Sequence, residues 1–83
     1  MRHARDEDLD RIEPLLARVR QAGAGMLKEK KRGCFCFKSK GVLHFHEDPK
    51  GMFADIFDDR IQVDNPAGAA EVVARIVALA EAR

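Results

Sequence analysis

Two pairs of residues in this chain have the types and the spacing to do chemistry. Cys34 and Cys36 are separated by one residue, and so are His44 and His46. On an extended strand alternate side chains leave from the same face, so each pair would present two donor atoms together. Thiolate sulfur binds zinc at about 2.3 Å and imidazole nitrogen at about 2.0–2.1 Å, and a two-Cys, two-His set is tetrahedral zinc chemistry. Thiolates also take Cu(I), and imidazoles accept iron, nickel or Cu(II). The cysteines are read as free thiols, because strand neighbours of this spacing have Cα atoms about 6.5–7 Å apart, at the upper limit for a disulfide.

For the four donors to meet, the two segments must pair. Cys34-Phe35-Cys36-Phe37-Lys38 and Val42-Leu43-His44-Phe45-His46 both alternate with a period of two, and Ser39-Lys40-Gly41 lies between them. A three-residue loop with Gly41 in the left-handed conformation would set Cys36 opposite His44 and Cys34 opposite His46. Phe35, Phe37, Leu43 and Phe45 then form the core face. A second turn, Asp48-Pro49-Lys50-Gly51, has Pro49 at its first central position. It pairs Glu47 with Met52 and His44 with Asp55, and adds Met52, Ala54 and Ile56 to the core face. The competing register would bury the Asp55 carboxylate and is rejected for that reason. The expected site therefore holds zinc or another transition metal through Cys34, Cys36, His44 and His46. Asp55 would accept the free ring N–H of His44 and fix its tautomer. Cys36, His44 and Asp55 also stand in the order nucleophile, base and orienting carboxylate. No Gly-rich strand-to-helix turn follows Cys36 to supply an oxyanion hole, so a binding protein is favoured over an enzyme.

The elements that must position these residues are legible around them. Leu9, Ile12, Leu16 and Val19 recur at helical spacing, capped by Asp6 or Asp8, with Pro14 either in a first turn or at a kink. The Ala22-Gly23-Ala24-Gly25 segment ends that helix. Asp58-Asp59-Arg60 turns the chain, and Ile61-Gln62-Val63 reads as a short strand. Asp64 or Asn65 caps a final helix with Pro66 near its first position and an apolar stripe of Ala69, Val73, Ile76, Val77 and Ala80. The expected fold is α+β: one small domain over residues 1–83, a two-layer helix, antiparallel β-meander of three or four strands, then helix.

Composition narrows the function classes. The chain is 46% hydrophobic and 35% charged with a net charge of +1, which is globular and argues against dominant phosphate-backbone binding. Residues 1–41 carry a net +5 and residues 42–83 a net −4. Lys28-Glu29-Lys30-Lys31-Arg32 precedes Phe35 and Phe37, but those rings belong to the core and the chain has no Tyr or Trp to stack bases, so nucleic acid is disfavoured. No window approaches the ~20 apolar residues of a membrane span, and the charged opening residues do not read as a secretory signal, so a cytoplasmic protein is expected. Phe53 and Phe57 fall on the Cys/His face. This supports an alternative role as a homodimerisation or protein-interaction module without a metal.

The run His44-Phe45-His46-Glu47-Asp48, continued by Gly51-Met52-Phe53-Ala54-Asp55-Ile56-Phe57, resembles the H-x-H…A-D-[IL]-x-F stretch of luciferase-domain-like small α+β proteins. His44, His46, Ala54, Asp55, Ile56 and Phe57 carry the resemblance, which spans about a dozen residues. It implies a small helix-and-sheet domain and supplies no reaction.

Overall fold

The computed structural model describes residues 2–82. Its elements in chain order are β1 (Arg2–His3), α1 (Asp6–Asp10), α2 (Glu13–Ala22), β2 (Lys28–Lys31), β3 (Cys34–Phe37), β4 (Lys40–Asp48), β5 (Gly51–Ile56), β6 (Asp59–Gln62) and α3 (Pro66–Ala82). The strands form one antiparallel sheet in the order β2-β3-β4-β5-β6. The remaining strand, β1, pairs with the far end of β4. The two-layer α+β arrangement is as expected, with two more strands than the meander anticipated.

Alternation decides which face of the sheet is dry. Phe35, Leu43 and Phe45 are buried, as are Met52, Ala54 and Ile56. Leu9, Ile12, Leu15, Leu16 and Val19 from the first two helices and Val72 and Ile76 from α3 complete the same core. Pro14 sits in the first turn of α2, where its missing N–H costs no helical hydrogen bond. Asn65 caps α3, its side-chain oxygen accepting the Gly68 N–H at 2.7 Å. The buried stripe of α3 is rotated from the expected one: Val72 is fully buried and Val77 is 40% exposed.

The β4–β5 register is the expected one, with Glu47 opposite Met52 and His44 opposite Asp55. The β3–β4 register is not. Phe37 pairs with Lys40, Cys36 with Gly41 and Phe35 with Leu43, with an irregularity between Phe35 and Cys36. The loop is two residues long, Lys38-Ser39, and both take positive φ (51° and 68°), whereas Gly41 lies within the strand. That is the backbone of a type I′ hairpin, whose twist matches the flanking strands and which Asn-Gly ordinarily supplies. The Lys28–Lys31 segment, which the expected meander does not include, is the edge strand β2. It is held through Glu29, whose carboxylate accepts from Arg20 at 2.7 and 3.0 Å and from the Gly33 N–H at 2.9 Å.

Arg20 bridges Glu13 and Glu29, and Arg32 reaches Asp6, Asp10 and Glu13. The basic first half makes these ion pairs with its own acidic residues, so they leave the charge difference between the two halves standing. No helix among the described residues is long and apolar enough to cross a membrane.

Candidate metal site on the open sheet face

All three helices contribute to one core, and β4 and β5 turn their polar side chains to the opposite face. Pairing of His44 with Asp55, and of Asp55 with Arg60 on β6, sets one polar row across three strands. Pairing of His3 with His46, and of His46 with Phe53, sets the adjacent row. The two rows bring His44, His46 and Asp55 together: one donor atom from each lies within 4.8 Å of the others.

The contacts are specific. Asp55 Oδ2 stands 2.8 Å from His46 Nε2 and 3.5 Å from His44 Nε2. Adjacent ligands of a tetrahedral zinc ion are separated by roughly 3.2–3.5 Å, from zinc–ligand bonds of about 2.0–2.1 Å. His46 Nε2 is buried and has no hydrogen-bond partner, although the carboxylate oxygen is so close. The oxygen therefore lies off the axis along which a ring N–H would donate. Burial pushes the His46 imidazole below its ordinary range, outweighing the pull of Asp55 in the other direction. With its proton on Nδ1, a neutral His46 would offer Nε2 as a lone-pair donor, and a cation within reach of Nε2 and the Asp55 oxygen would engage both.

Arg60 competes for the same carboxylate. It donates to both Asp55 oxygens, at 2.7 and 3.0 Å, and this holds Asp55 below the usual carboxylate range. The His44 side chain is 42% exposed against 13% for His46, so the site opens to solvent on the His44 side.

Of the residues expected from sequence, His44 and His46 converge and Asp55 stands among them as a potential ligand, nearer His46 than His44. Cys34 and Cys36 lie outside the cluster, which corrects the expected four-residue arrangement. The tight Lys38-Ser39 hairpin shifts β3 along β4, so neither cysteine has a histidine as its cross-strand partner. Cys34 instead lines a small cavity with His3, Leu9, Gly33 and Phe45, and burial raises its thiol pKa. His3, absent from the expected site, lies beside it: its ring centroid is 4.7 Å from that of His46 and 6.0 Å from that of His44. Only the β1–β4 pairing reveals this, since a two-residue strand leaves no periodic signal.

No protein family, curated protein or solved structure matches this chain.

Proposed function

We propose that this is a transition-metal-binding domain whose ion is held by His44, His46 and Asp55 on the open sheet face. The observation that carries the reading is the buried His46 Nε2, without a hydrogen-bond partner yet 2.8 Å from a carboxylate oxygen. Two imidazole nitrogens and one carboxylate oxygen suit zinc or divalent iron, nickel or copper, and three protein ligands leave a coordination position for water or a small ligand. Elemental analysis after zinc-supplemented, reducing purification tests this. The expected content is near one zinc per chain, lost in His46→Ala and Asp55→Ala and retained in the Cys34→Ser/Cys36→Ser double variant. Absence of zinc, with no change in melting temperature on adding zinc, nickel or copper, refutes the reading.

One observation favours contact with a protein partner instead. Phe57 is 52% exposed beside the site and has φ of 54°, a conformation uncommon for a bulky side chain. With Phe53 it puts apolar surface on the face that no helix covers. Light scattering separates the readings: a dimer abolished by Phe57→Ser, with no metal content, supports the contact module.

A further inference from the structure

Three imidazoles on one sheet face call for a common explanation. His3 is the cross-strand partner of His46, so the ladder itself sends both rings to the open side. The His3 ring is tilted 34° to His46 and 42° to His44, and the His44 and His46 centroids are 5.1 Å apart. The His3 ring has no hydrogen bond or ion pair among the described residues.

The strand that carries His3 is held lightly. Its ladder is two residues long, extended by the Ala4 N–H donating to the Phe45 carbonyl at 3.1 Å. Arg2 adds ion pairs to Asp8 at 2.9 Å and Glu47 at 3.2 Å. A ladder of two residue pairs is a low-stability element that opens readily. A bond from His3 to an ion fixed on β4 and β5 would join this segment to the sheet centre.

We propose that His3 is a fourth ligand of the ion held by His44, His46 and Asp55, so that metal occupancy fastens β1 onto β4. The proposal rests on the metal reading above and deepens it. Because His3 and His46 are already cross-strand partners, reaching the ion requires rotation of the His3 side chain and no change of register. The completed set, three imidazole nitrogens and one carboxylate oxygen, selects zinc, copper or nickel over magnesium and calcium, which prefer oxygen ligands. Part of the binding free energy would then appear as order in the first strand, since a ligand that binds one state better shifts the equilibrium toward it.

The experiment compares wild-type protein, His3→Ala, His3→Asp and His46→Ala by zinc titration against a chelating indicator. Amide exchange is followed at the Ala4 N–H with and without zinc. His3→Ala is expected to lose about tenfold or more in affinity, at least what loss of a supporting residue commonly costs. His3→Asp, which restores a ligating oxygen, recovers part of that loss. Zinc slows exchange at Ala4 in the wild type and not in His3→Ala. If His3→Ala binds as tightly as the wild type while His46→Ala does not bind, His3 is not a ligand and the three-residue site stands. Equal zinc protection of Ala4 in wild type and His3→Ala also overturns the coupling. If the wild type binds no zinc and its melting temperature is unchanged by nickel or copper, both this inference and the metal reading fall.

Discussion

Gly68→Ala reverses the sign that helix propensity alone would give. Gly68 is the third residue of α3, where alanine ordinarily improves helix stability by about 0.5–1 kcal/mol. A Cβ built at Gly68 would stand 1.7 Å from the Gln62 carbonyl oxygen and 2.8 Å from its carbon, both backbone atoms of β6. Neither can rotate away, so the helix start and the strand end must part by more than about 1 Å to reach the 3.0 Å that real contacts require. Overpacking of this kind costs typically 1–3 kcal/mol, occasionally more. The displacement also loosens Val72, which is fully buried one turn along. Taking the upper part of that range less the propensity gain leaves a loss of about 2 kcal/mol. For a domain of this size that lowers the melting temperature by about 8–16 °C. Thermal unfolding followed by circular dichroism, with a urea titration to check that the slope is unchanged, measures it. A melting temperature equal to or above wild type would show that α3 and β6 do not approach as described.

Three further outcomes follow from the site and the hairpin. Arg60→Ala should lower the melting temperature of metal-free protein while raising zinc affinity several-fold, because it frees the Asp55 carboxylate and removes a cation; a fall in both would show that Arg60 orients Asp55 and does not compete for it. Acidification should destabilise the metal-free protein below about pH 6.5, since the unfolded chain protonates its histidines there while native His46 resists protonation, and Asp55 adds its own loss as pH falls through its lowered native pKa. Melting temperatures between pH 8 and 5 test the His46 part, where a slope unchanged in His46→Gln would assign the effect elsewhere; the Asp55 part shows only below about pH 4. Replacing Lys38-Ser39 by Asn-Gly should stabilise the fold by about 1 kcal/mol in urea, because both positions have positive φ; no gain would refute the type I′ assignment.

The parts of the fold that sequence discloses are those where burial and turn chemistry agree. Alternation of Phe45, Met52, Ala54 and Ile56 about the Pro49 turn leaves one register that keeps Asp55 out of the core, and the strands adopt it. The β3–β4 hairpin lacks that agreement. Its only glycine, Gly41, points to a loop one residue too long, while Lys38 and Ser39 take conformations their side chains ordinarily avoid. The error removes both cysteines from the site. Strand β2 is hidden for a different reason: Lys28-Glu29-Lys30-Lys31 has no apolar member, and its place comes from backbone pairing and the Arg20–Glu29 ion pair. The metal reading accordingly keeps its histidines, which sit on the well-determined strand, and takes its third donor from Asp55.

The central strand β4 shares one edge between two neighbours. Residues 40–43 pair with β3, and residues 46 and 47 pair with β1. If residues 2–4 lift away, the Phe45 carbonyl and the adjoining main chain lose their partners while the rest of the sheet stays intact. A short vacant slot, the edge from Phe45 to Glu47, then opens beside the histidines and is an unpaired strand edge of the kind that β-addition uses.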